Sequence, residues 1–152
     1  MDTIDIPALP YVDEHTTVVA ADADTVWHEL RHVLDGIFSR GRSVGIVALL
    51  GCADRTPSGP RPLTESSTLR GFRVAVAAPG RELALVGRHR FSSYALVFHL
   101  EEAGPGRTQV RAETRAGFPG PAGAIYRRLV IGTGGHAFLV RRMLTTVRKR
   151  AL

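Results

Sequence analysis

The stretch from Ser67 to Phe118 constrains the fold most, because it breaks into four short runs separated by turn residues. Ser67 to Ala77 places Phe72, Val74 and Val76 on one face. Pro79-Gly80 turns into Glu82 to Phe91, Ser92-Ser93 into Tyr94 to Glu101, and Gly104-Pro105-Gly106 into Thr108 to Phe118. In the last run Val110, Ala112, Thr114 and Ala116 alternate with Arg111, Glu113 and Arg115. Side chains alternate across a strand, so a period of two predicts strands with one buried face. Consecutive hairpins of such strands make an antiparallel meander with one wet face.

The flanks add helices. Glu14 to Ala20 is β-branched and predicts a first strand. Ala21-Asp22-Ala23-Asp24 supplies capping acids, and Val26, Leu30, Val33 and Ile37 recur at helical spacing behind them. Ser43 to Cys52 reads as a second short helix or a buried strand, with helix preferred. The prolines and glycine of 53–64 predict a loop. From Pro121 onward, Ile125, Leu129, Gly132, His136, Leu139, Val140, Met143 and Val147 form one helical stripe. Gly132, Gly134 and Gly135 predict a kink in that helix. The expected fold class is α+β, as one domain over residues 1–152.

This order resembles the START / polyketide-cyclase-like superfamily (SRPBCC). The resemblance rests on the opening EHTTVVAADADTVWHEL, on GRELALVGRHRFSSYALVFHL, and on the closing helix after AETRAGFPG. It implies the helix-grip fold, a curved antiparallel sheet wrapped around a long C-terminal helix with a ligand cavity between them. Such sheets usually have six or seven strands, whereas the patterns here predict five. The resemblance implies either a binder of a small hydrophobic, partly polar molecule, as carrier or sensor, or a cyclase or dehydratase of polyketide-like substrates.

Register within the central hairpin selects the candidate site. A two-residue turn at Ser92-Ser93 pairs Phe91 with Tyr94, His89 with Leu96 and Gly87 with Phe98. Leu83, Leu85, Phe91, Tyr94, Leu96, Phe98 and Leu100 then share the inward face with His89. Arg88, Arg90 and His99 fall on the outer face with Arg111, Glu113 and Arg115, a solvated ion-pair surface. Two readings stay open for His89: a core histidine bonded to a carbonyl or tyrosine, or a pocket group that orients a ligand or moves a proton. Leu85, His89, Leu96, Phe98, Leu129 and His136 are expected to line one cavity. Trp27, Phe72, Tyr126 and Gly132 complete the candidate ligand-binding set, with room under the helix where glycines lack side chains. In a catalytic version, His89, His136 and Tyr94 are the candidate acid–base groups.

Other motifs weigh less. His28-Glu29-Leu30-Arg31-His32 matches H-E-x-x-H, in which two histidines one turn apart bind zinc. Arg31 puts a cation beside that site, the stripe Val26, Leu30, Val33 turns the histidines to solvent, and no third ligand follows at a customary spacing. No metal and no other cofactor are expected. Gly132-Thr133-Gly134-Gly135 lacks the Lys-Ser/Thr ending of a phosphate loop.

The net charge of +6 sits in residues 119–152, which hold seven basic residues and no acid, while the rest carries 13 basic and 14 acidic residues. Bases near a helix C-terminus favour the helix dipole. No aromatic platform accompanies them, so nucleic acid is not the expected partner. A homodimer is compatible with the sequence. Cys52 is the only cysteine, which fits a reducing compartment. The acidic start without an apolar core predicts no signal peptide, and no run reaches the ~20 apolar residues of a membrane span. A cytoplasmic protein is expected.

Overall fold

The computed structural model describes residues 5–39, 54 and 56–152. The expectation for Ser43 to Cys52 lies outside the described residues. Within them, a short 3-10 turn (Ile6–Ala8) leads into β1 (Tyr11–Val19) and α1 (Ala23–Ser39). The chain continues through β2 (Thr68–Leu69), β3 (Phe72–Ala78), β4 (Glu82–His89), β5 (Ser92–Glu102) and β6 (Thr108–Gly117). It closes with α2 (Gly120–Arg127), a π-helical turn (Arg128–Gly132) and α3 (Gly135–Arg150).

The six strands form one antiparallel sheet in the order β1-β6-β5-β4-β3-β2. Five strands become six because the run predicted at Ser67 to Ala77 folds back on itself. Gly71 sits at φ 86°, which reverses the chain and pairs Leu69 with Phe72. A positive φ is cheap only for glycine, so the turn falls there.

At the first helix, the Asp22 carboxylate accepts the Thr25 backbone N–H at 2.9 Å, and this bond lowers its pKa. Val26, Leu30, Val33 and Leu34 then face the sheet, where they meet Val19, Leu83, Leu85, Phe98 and Val110. Val140, Met143, Leu144 and Val147 of α3 close the same core. Trp27 is buried in it too, with the Arg31 guanidinium 5.3 Å above its ring.

The outer face of the sheet is mixed rather than uniformly wet. Ala84, Val86, Ala95 and Val97 form a small apolar cluster covered by Ile6 and Leu9 of the N-terminal turn. Beside it runs the expected ionic surface: Glu113 meets Arg115 at 2.6 Å and His99 at 3.2 Å, and Arg111 reaches Glu101 at 3.3 Å. Burial pushes the Glu113 carboxyl up, but hydrogen bonds from Arg115 and His99 and their charges together hold it below its ordinary value.

Candidate functional site

A cavity of about 390 Å³ lies between the inner face of the sheet and the C-terminal segment. That is within the usual size range of small-molecule sites. Its walls are mostly apolar: Phe72 comes from β3, Leu96 from β5, Ala116 from β6, and Val130, Ile131 and Val140 from the closing helices. Polar atoms gather at two stations, around His89 and around His136, and Arg70 also borders the cavity.

The first station starts from the hairpin. Strand β4 pairs His89 with Ser92, Gly87 with Tyr94, Leu85 with Leu96 and Leu83 with Phe98. The turn therefore sits at Arg90-Phe91, two residues before the predicted Ser92-Ser93. A shift of two leaves every side chain on its expected face, whereas a shift of one would exchange the faces. His89 accordingly points inward. Its Nδ1 accepts the Phe91 backbone N–H at 3.1 Å, which leaves the proton on Nε2. Nε2 donates to the Tyr126 hydroxyl oxygen at 3.1 Å. Burial lowers the His89 pKa, so the ring is neutral at physiological pH.

Tyr94 lies beside this pair, its ring 5.4 Å from the His89 ring. Its hydroxyl donates to the Gly71 carbonyl at 2.5 Å. The ring reaches that far only because it crosses over its cross-strand partner Gly87. A Cβ at Gly87 would collide with the Tyr94 ring and the Gly71 carbonyl. Tyr94 thus ties β5 to the turn between β2 and β3.

The second station is on the other side of the cavity. His136, in the first turn of α3, brings Nε2 within 2.9 Å of Thr114 Oγ1 and 3.4 Å of Asp13 Oδ1. The other Asp13 oxygen lies 3.3 Å from His15 Nε2. Asp13 pairs with Thr114 across β1 and β6, which explains why one imidazole touches both. Asp13, His15 and Thr114 were not among the expected site residues. Alternation carries the signal for all three, since Asp13 and His15 share the face of Val19, and Thr114 shares that of Val110 and Ala112.

The structure brings together His89, His136, Tyr94, Tyr126, Phe72 and Leu96 around the cavity. It places five expected residues elsewhere. Leu85 and Phe98 face inward but are fully buried under α1 and α3, at the end of the sheet that the core fills. Trp27 belongs to that same core. Leu129 is 65% exposed, and Gly132 is exposed with open space where a side chain would be. The predicted stripe keeps one face through residues 125–147 of a single kinked helix. The π-helical turn changes the rotation per residue from Arg128 onward, and Gly134, at φ 80°, breaks the helix, so Val130 and Ile131 face inward in place of Leu129 and Gly132. The expected Tyr126 lines the cavity from α2. His28 and His32 are exposed as expected, and Glu29 between them pairs with Arg150 at 3.0 Å. Among the described residues no group of three or more His, Cys, Asp or Glu is placed to hold a metal ion.

An antiparallel six-stranded sheet with α3 packed against its β1–β6 end is the START-like helix-grip fold. Solved structures sharing it include the Zhui aromatase/cyclase from Streptomyces sp. R1128, at 15% identity and TM-score 0.57, covering 94% of this chain and 93% of that one. Truncated norcoclaurine synthase from Thalictrum flavum aligns at 11% identity and TM-score 0.57 over 100% and 98% of the two chains. A START superfamily protein from Mycobacterium smegmatis aligns at 15% identity and TM-score 0.50 over 91% and 98%. At such identities the likeness is one of fold. No protein-family model and no curated protein matches the sequence.

Proposed function

We propose that this protein binds a small, largely apolar molecule with a polar end in the cavity between sheet and C-terminal helices, as a carrier or sensor. The hydrogen bonding of His89 carries this reading. With Nδ1 occupied by the Phe91 N–H and Nε2 already protonated toward Tyr126, the ring has no lone pair open to accept a substrate proton. A lowered pKa also makes it a poor general acid. What remains is orientation: the imidazole holds the Tyr126 hydroxyl at a fixed place on an apolar wall, where it can meet one polar atom of a ligand.

The test is native mass spectrometry of the purified full chain, before and after His89→Phe. A bound small molecule is expected, with affinity falling roughly two- to twelvefold in the variant, the worth of one neutral hydrogen bond. Phe keeps the volume and adds no cavity penalty. A folded wild type that retains and takes up no apolar probe such as an anilinonaphthalene dye would sink the proposal.

A second reading, a cyclase or dehydratase working by acid–base catalysis, is favoured by one observation. His136 has the Asp13 carboxylate at 3.4 Å and the Thr114 hydroxyl at 2.9 Å, an arrangement that orients its imidazole. If His136 moves a proton, His136→Gln lowers turnover about two to four orders of magnitude while binding survives. A loss of affinity with no catalysed reaction to lose favours the carrier.

A further inference from the structure

We infer that the rim of the cavity formed by Ile125, Leu129 and Phe138, with the arginines beside them, docks this protein onto an anionic lipid surface. Eight large apolar side chains are exposed among the described residues, and four of them lie between positions 125 and 139. Ile125 is 63% exposed, Leu129 and Phe138 are each 65% exposed, and Leu139 is 41% exposed. Single exposed hydrophobes are ordinary on a protein surface, but a concentration of the largest ones in a short segment marks an interaction site.

Their chain neighbours place them at the cavity. Tyr126 follows Ile125, Val130 follows Leu129, and Leu139 follows Phe138, and all three of these neighbours line it. The exposed side chains therefore stand on the outer side of the same helical turns whose inner side closes the pocket. Arg127 is held there too, its guanidinium 5.3 Å over the ring of the cavity residue Phe118.

Charge selects the occupant. Arg127, Arg128, Arg141 and Arg142 are exposed, and the whole segment 119–152 contains no acid. A second copy of the chain docked face to face would oppose these arginines with themselves. Nucleic acid would engage the arginines and leave Ile125 and Leu129 without a function. An anionic bilayer takes both, phosphate groups at the arginines and acyl chains at the apolar side chains, which is how interfacial amphipathic segments bind. No helix among the described residues is long and apolar enough to cross a membrane, so this is docking from one side by helices. The cavity mouth would then face the bilayer.

The experiment is flotation of the full chain with vesicles of phosphatidylcholine alone, or with about one-third phosphatidylglycerol. Association with the anionic vesicles only is expected, weakening as salt rises from about 0.05 M to about 0.3 M. Leu129→Glu and Phe138→Glu should each weaken it by roughly tenfold or more, from the apolar surface they remove. Arg128→Gln should weaken it roughly fivefold. All three sites are exposed, so the melting temperature should not move, which separates lost docking from lost folding. No association with anionic vesicles, or association indifferent to both glutamate variants, overturns the proposal. So does a dimer in light scattering that Leu129→Glu dissociates, or duplex DNA bound in place of vesicles. Vesicle binding and cavity occupancy are separate readouts, so this surface and the proposed ligand binding can fail independently.

Discussion

Gly87 controls more of the site than its size suggests. It sits in mid-strand, where glycine usually weakens a sheet, yet a Cβ there would strike both the Tyr94 ring and the Gly71 carbonyl. The absent side chain lets Tyr94 lie flat across β4 and bond to the β2–β3 turn. Gly87→Ala is expected to cost about 1–3 kcal/mol by overpacking, read from urea unfolding. Combining it with Tyr94→Leu should recover part of that loss, because the ring no longer competes for the space. An unchanged unfolding midpoint in Gly87→Ala would show that the ring does not cross the strand there. The surrounding rings form a chain of contacts, Phe38 to Phe72 at 4.6 Å and Phe72 to Tyr94 at 5.2 Å. The sequence shows each aromatic but not this adjacency, which depends on which strand pairs with which.

At the scale of elements, the closing segment departs furthest from its sequence pattern. A single kinked helix is what the spacing predicts from Pro121 onward. The chain instead forms α2, one π-helical turn, a break with left-handed backbone at Gly134, and α3. Three glycines in four positions signal the interruption, but not which of them takes the left-handed backbone. Gly134 does, at φ 80°, while Gly132 and Gly135 do not. Gly134→Ala should therefore destabilise by about 1–2 kcal/mol, and Gly132→Ala, exposed and in helical backbone, should be neutral or stabilising. Equal effects at the two positions in parallel urea titrations would contradict this turn. The β4–β5 hairpin shows the opposite balance. Its turn lies two residues from the predicted one, yet its faces are those expected, because alternation fixes parity and parity survives an even shift.

At the scale of the whole molecule, the half-buried neutral His89 makes stability depend on pH. Its folded pKa lies below the ordinary value of 6.5, so between the two the unfolded chain binds more protons than the folded one. Stability then rises with pH across that window and is lost as pH falls through about 6.5 toward the lower, folded value. The melting temperature of the wild type is expected to drop more than that of His89→Phe between pH 7 and about pH 5. Comparing the two proteins cancels the contributions of the other histidines. Parallel curves would mean that His89 is as easily protonated in the fold as in the unfolded chain.

The sequence by itself determined the α+β class, the meander and its inward face, the position of α1 and the exposure of His28 and His32. These are local properties, set by periodicity, turn residues and capping, and they do not depend on distant partners. It also brought His89, Tyr94, Leu96 and His136 into consideration for one cavity, because each lies on an inward face of its own element, and Tyr126 for its hydroxyl. Only the tertiary structure decided which inward positions line space and which fill the core. Leu85 and Leu96 are cross-strand partners on one face, yet α1 and α3 cover the first and the cavity opens beside the second. Likewise, nothing local joins Asp13 to His136 across more than a hundred residues of chain. Their contact arises because β1 pairs with β6 while α3 starts above that pair, and such long-range closure is settled by packing, not by any pattern along the chain.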